Sequence, residues 1–279
     1  VSALHADRSA ADVGDWSSGV VMAQAQSADA WQLTARYLYL LHLDGPALAW
    51  EYLRRNPDYQ TDYAAHAQRQ QHASPNPLRW GLIAWEDPRG DARDAFVLWH
   101  SDCLPAPFIS HGFEAAMQFP QQLDLWALPG RKRLRALPGG DAHLALLAQG
   151  EAYWLRARIA PTALAAANCH LWLPVAGASA QPWLPYLQTS AQVRRSVSRH
   201  GGQRTRKYRA ETLHMRALQA LDGIATGASQ RELAEVIFGC SRSRDVWHGD
   251  SGLRSQVRNY VNRGNFFMRG AYRELLALC

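Results

Sequence analysis

Between positions 254 and 262 stand Arg254, Ser255, Arg258, Asn259 and Asn262, residue types suited to reading the edges of DNA bases. A guanidinium can donate two parallel hydrogen bonds to guanine, and a carboxamide can pair in the same bidentate way with adenine. Arg254, Arg258 and Asn262 recur at one-turn intervals, which sets them along one side of a helix. Leu253, Val257, Tyr260, Val261 and Gly264 fall on the opposite side, suited to packing. The polar side carries Arg263 as well, a candidate phosphate contact, and no carboxylate. A solvated amphipathic helix would have a similar composition, so the case for a DNA reader depends on the elements that precede it.

Those elements are two more helices. From about Thr212, the residues Leu213, Ala217, Ala220, Leu221 and Ile224 follow one-face helical spacing, and Gly227 supplies a left-handed stop. Ser229 and Glu232 have the spacing of a capping box, each able to satisfy the other's backbone amide. They open a short helix through Leu233, Ala234, Val236, Ile237 and Phe238 that Gly239 closes. Gln230 and Arg231, in its first turn, are candidate phosphate contacts. After a polar connector the third helix starts at Asp250 or Ser251 and runs toward Arg269. A short capped helix followed by a longer cationic one is the order of a helix-turn-helix.

A basic segment precedes this unit. Arg194, Arg195, Arg199, Arg204, Arg206, Lys207 and Arg209 occur within sixteen residues that contain no acid. So dense a run of like charge resists folding on itself, and its position suits an arm lying on phosphate; a solvated linker is the plainer alternative. Charge is asymmetric over the whole chain. Residues 1–185 hold 14 Lys/Arg against 17 Asp/Glu, whereas residues 186–279 hold 16 against 7, within a net charge of +6. A positive field confined to one end fits a polyanionic partner.

The stretch from His214 to Asp222, then Gly227 to Ala234, Phe238-Gly239, Trp247, Leu253-Arg254, Val257-Arg258 and Gly270-Ala271-Tyr272-Arg273-Glu274-Leu275-Leu276, resembles the RovC-like transcription factor DNA-binding domain. Near the other end, Ala49-Trp50-Glu51-Tyr52-Leu53-Arg54-Arg55-Asn56-Pro57-Asp58-Tyr59 is similar to the signature of a small module that precedes that domain in regulators from mobile elements. The resemblance implies a bacterial regulator of type VI secretion genes or of the excision and transfer of integrative conjugative elements. It supplies no individual DNA contacts, so the site residues rest on the helix pattern.

The remaining chain predicts an α+β protein. Residues 1–27 lack sustained period and read as a flexible leader. A helical module occupies 28–75, where Trp31, Ala35, Leu38, Leu41 and Leu43 nearly share a face. Asp44-Gly45-Pro46 starts a second helix, which stops before Pro57, and Asp58 is placed to cap a third. Trp50, Glu51, Arg54 and Arg55 read as a packed helix with a solvated charged edge. A Trp-rich, mostly antiparallel β domain spans 76–181, with strands expected at 79–85, 95–100, 123–128, 131–137, 144–147 and 153–159. Its Trp residues and basic run Arg131, Lys132, Arg133 and Arg135 could stack single-stranded bases, but suit a core with a charged edge better. The connector covers 182–209 and the three-helix domain 210–279.

No catalytic constellation is legible. His100-Ser101-Asp102-Cys103 groups a base and nucleophiles, but neighbours on a strand point to opposite faces. No His-Glu-x-x-His, Cys-x-x-Cys or phosphate-cradling glycine loop occurs, so neither metal nor cofactor is expected. Scattered cysteines and the lack of a long apolar run point to a protein of the bacterial cytoplasm, associated with the nucleoid rather than a membrane. The expected function is a DNA-binding transcriptional regulator of activator type and no enzyme. It would bind double-stranded DNA as a homo-oligomer, a dimer or higher, built through its aromatic first 185 residues. The competing expectation is a helix-turn-helix that docks RNA polymerase or an anti-activator and holds DNA weakly.

Overall fold

A computed structural model describes residues 30–68, 76–104, 108–110, 121–123, 131–137, 144–149, 154–165, 169–172, 208–239 and 252–276. The leader, most of the basic segment and the connector at 240–251 lie outside these residues.

The chain enters through two 3-10 helices, Ala30–Gln32 and Thr34–His42. Three residues per turn selects a different face from the one that α-helical spacing predicts. Trp31, Tyr37 and Leu40 point inward at intervals that are multiples of three, while Ala35 and Leu38 are exposed. Asp44 caps α1 (Gly45–Leu53) by accepting from the Ala47 amide at 2.9 Å. α2 (Pro57–Ala67) is capped by Asn56, which accepts from the amides of Asp58 and Tyr59. Asp58, expected as the cap, lies inside the helix instead, because proline in the first turn moves the start one residue upstream of it.

Strand expectations at 79–85 and 95–100 are corrected. Pro77–Trp80 is a 3-10 turn capped by Asn76, and only a single bridge, Leu82 to Trp99, joins the two segments. Pro77 and the left-handed Gly81 punctuate the first run, and the aromatic side chains serve a helical core rather than a ladder. The sheet comprises β1 (Phe108–Ser110), β2 (Gln121–Leu123), β3 (Arg131–Ala136), β4 (Leu144–Gln149), β5 (Trp154–Ile159) and β6 (Cys169–Trp172), in the order β2-β6-β1-β5-β4-β3. All pairs are antiparallel except β1 with β5. β3 is the basic edge. Arg133 donates to the Ala95 carbonyl at 2.7 Å, Arg135 pairs with Glu86 at 2.7 Å, and both guanidinium groups lie over the Phe96 ring. These cations fasten the 86–96 loop to the sheet.

The C-terminal helices are α3 (Tyr208–Ala225), α4 (Gln230–Phe238), α5 (Gly252–Phe266) and α6 (Tyr272–Leu276), with a π-turn at Phe267–Ala271 between the last two. α3 is buried on two sides. Met215, Leu218 and Leu221 join Trp50, Tyr52, Leu53, Tyr59 and Trp80 of the N-terminal half, together with Phe267, Tyr272, Leu275 and Leu276, in one core. Ala220, on another side, packs with Trp31, Leu233, Ala234, Ile237 and Val257. Ile224, expected in the core, is 40% exposed, and in this last turn it is its neighbour Gly223 that is buried, close against Leu233 and Trp31.

Polar groups cross the same boundary. Arg55 donates from Nε and Nη2 to the two carboxylate oxygens of Asp222 at 2.7 and 2.9 Å, and from Nη1 to Glu51 at 2.6 Å. Tyr37 donates to Asp222 at 2.7 Å, and Glu51 also accepts from Arg54 and from the Ala92 amide. Glu51 is fully buried, so the edge expected to be solvated is an internal ion-pair network. Burial opposes ionisation of Glu51, but Arg55, Arg54 and the Ala92 amide outweigh it and hold its carboxyl below the ordinary range. Asp222 follows the same logic: burial raises, Arg55 and Tyr37 lower more. The arrangement closes because every member has its partner.

Candidate nucleic-acid interface

α3, α4 and α5 form the three-helix unit that the spacing predicts. α3 ends at Ala225 and the chain turns at Gly227, whose φ of 87° suits glycine because a Cβ would crowd the carbonyl. The capping box on α4 is complete: Ser229 Oγ accepts from the Glu232 amide at 3.2 Å, and Glu232 accepts from the Ser229 amide at 2.6 Å. That bond to the Ser229 amide holds the exposed Glu232 carboxyl below its usual range. Leu233 and Ala234 of α4 and Val257 of α5 are completely buried against Ala220.

Gly264 sets how closely α5 lies on α3. A Cβ there would come 2.6 Å from Leu221 Cγ and 3.0 Å from the Ala217 carbonyl oxygen. With Leu253, Val257 and Gly264 turned inward, Arg254, Ser255, Arg258, Asn259 and Asn262 are all exposed. They lie together on the outward side of α5. No acidic residue occurs between Gly252 and Arg273, so this face carries a one-sign field.

The phosphate candidates divide. Arg231 is exposed and pairs with Glu235 at 3.3 Å, and Gln230 is half-buried at the start of α4. Arg263 turns back instead. Its Nη2 lies 3.2 Å from His214 Nε2, and its guanidinium sits 5.1 Å from the centre of the Phe267 ring. Arg194, Arg195, Arg199, Arg204, Arg206 and Lys207 lie outside the described residues, and Arg209 falls at the second position of α3.

His214 was not singled out by sequence reasoning. It is 7% exposed and joins three elements. An arginine can only donate, so Nε2 accepts from Arg263 and the proton sits on Nδ1, facing the Tyr52 hydroxyl 2.9 Å away on α1. Burial, then the Arg263 charge, push the His214 pKa down to about 4. The imidazole is thus a neutral bridge between α1, α3 and α5. His214, Gln219 and Asp222 interrupt the apolar positions of α3, and that interruption was the available signal of a second packed surface. Gln219 uses it to reach the Trp31 carbonyl at 3.0 Å and Thr34 at 3.1 Å.

The segment at 100–103 is a turn rather than a strand. His100 Nδ1 lies 3.5 Å from the Asp102 carboxylate, which is 85% exposed, and the backbone of Cys103 bonds to the His100 carbonyl. Adjacency in the chain brings this pair together, not a packed site.

Residues 182–277 match the family model of the RovC DNA-binding domain, described as a T6SS transcription factor DNA-binding domain. Residues 30–83 match a proteobacterial transcriptional regulator-like domain. The chain carries a RovC-type DNA-binding domain. It is a DNA-binding transcriptional regulator. Both matched domains belong to regulator families, and the first includes the basic segment before α3 as well as the helices. No curated relative matches the chain at significant similarity. Among the described residues, no helix of this regulator is long and apolar enough to cross a membrane.

Proposed function

We propose that α5 is the recognition helix of this regulator, laid in the major groove with Arg254, Ser255, Arg258, Asn259 and Asn262 toward the base edges. The observation that carries the reading is the division of α5 into a buried side, Leu253, Val257 and Gly264, and an acid-free polar side of Arg and Asn. Gln230 and Arg231 on α4, with the basic segment at 194–209, grip the backbone on either side. The target genes are those of type VI secretion or of mobile-element transfer, and regulation is by activation. The protein performs no catalysis and works on the nucleoid in the bacterial cytoplasm. Copies associate through the first 185 residues, which are close to neutral while the C-terminal part repels itself.

Selective capture of host genomic fragments by the full-length protein, followed by titration in salt, tests this reading. True phosphate contacts give a slope of about −0.9 in log affinity per contact. A shallow slope with no enriched sequence would favour the docking alternative, in which the helices meet RNA polymerase or an anti-activator.

A further inference from the structure

Phe266 is out of place on a polar helix face. It is 56% exposed at the end of α5, and its ring stands edge-on to the buried Phe267 at 5.4 Å. Ser255, Asn259, Asn262 and Phe266 follow one another at intervals of four, three and four residues, which makes them one stripe along the helix. The stripe is about 16 Å long at 1.5 Å per residue, or roughly five base steps of 3.4 Å. Asn262, Asn265, Phe266, Arg269 and Ala271 border an open concavity of ≈ 600 Å3, so the aromatic ring is one wall of a polar and cationic hollow.

An exposed ring ordinarily marks a protein contact, but this one sits within a segment free of carboxylates from Gly252 to Arg273. That setting suits a polyanion better than a second copy of the same basic surface. The major groove offers one apolar group, the 5-methyl of thymine, and a phenyl ring is among the side chains that contact it. We propose that Phe266 is a specificity-determining residue that packs against a thymine methyl at the end of the half-site, flanked by Asn262 and Arg269. This rests on α5 being the recognition helix.

The test uses the full-length protein and a duplex selected by it from a random-sequence pool, with each thymine replaced in turn by uracil, which lacks only the methyl. Wild-type protein loses about four-fold in affinity at one thymine, the ratio equivalent to ~0.8 kcal/mol for one buried methyl(ene). Phe266→Ala binds the thymine and uracil duplexes equally, and Phe266→Leu keeps part of the discrimination. Equal sensitivity of wild type and Phe266→Ala to uracil, or none in either, overturns the assignment. Arg254→Ala and Arg258→Ala separate the two layers. If they abolish selection while uracil has no effect, α5 reads DNA and Phe266 does not. If they select the same duplex as wild type, the recognition helix itself is wrong and the inference falls with it. Loss of self-association in Phe266→Ala, with uracil silent, would assign the ring to a second copy.

Discussion

Arg55 and Arg258 are the same residue type in opposite circumstances. Arg55 is enclosed between α1 and α3, with its Nε and Nη2 edge committed to Asp222 and its Nη1 to Glu51. Arg258 stands exposed on α5, on the side turned away from Val257 and Leu253. One cation ties the N-terminal helices to the C-terminal helices, and the other faces solvent. The difference lies in the opposing surface. Where a carboxylate meets the guanidinium inside the protein, arginine becomes architecture; where the acids are withheld, it remains an anion-binding group. Arg263 falls between them, half-buried and shared between His214 and Phe267.

Breaking the internal side should have the largest effect. Glu51→Ala leaves the buried Ala92 amide without its acceptor and removes the carboxylate shared by Arg54 Nε and Arg55 Nη1, leaving Arg55 with the Asp222 carboxylate, and about 3–5 kcal/mol of stability should go. Urea unfolding of the full chain would measure it. Because α1 and α3 share a core, Trp and backbone signals should shift together; a loss confined to the N-terminal helices would break the contrast.

Leu233→Ala tests the packed side of the three-helix unit. Leu233 is fully buried against Val257 and Trp31, so truncation should cost about 2–5 kcal/mol. An unchanged melting curve with DNA binding abolished would move Leu233 to the outer face.

pH acts on the bridge between the two regions. His214 titrates at about 4 in the folded protein against about 6.5 when unfolded, so the unfolded chain binds the extra proton between these values. Stability should therefore be complete above pH ~6.5 and decline toward pH ~4, by up to about 3 kcal/mol. The depressed carboxyls of Glu51 and Asp222 add to the loss at lower pH, as each falls through its folded value. In thermal melts between pH 4.5 and 7, the melting temperature of wild type should fall as the pH drops, and that of His214→Gln should change much less over the same range.

The smallest effect sharpens the external side. Arg254→Ala or Arg258→Ala should cost roughly 1–3 kcal/mol on the selected duplex and less on random DNA, with the melting curve unmoved. Equal losses on both duplexes would make them phosphate contacts.

Much of the C-terminal unit was legible because its signals are local. The capping box at Ser229 and Glu232, the stop at Gly227 and the inward Leu253 and Val257 depend on residues within a turn or two of each other. The polar face of α5 was legible by the same periodicity. Phe266 escaped it, since an apolar residue near a helix end reads as core until its exposure is known. Sequence spacing also misled where the helix was of another kind: at 31–43 the buried residues follow a period of three, not 3.6. The strands expected at 79–85 and 95–100 failed because aromatic and β-branched content marks burial, and a helical core buries the same side chains.

What the sequence determined alone was the set of elements near each signal and the distribution of charge: caps, glycine stops, an acid-free helix and a basic segment before it. What only the tertiary structure decided was which charges are consumed. Glu51, Arg55 and Asp222 look as solvated as any polar residues on a helix, and lie 167 positions apart where Arg55 meets Asp222. Helical periodicity reports the neighbours within a turn, whereas an ion pair depends on which surface the chain later brings opposite, and no local pattern encodes that.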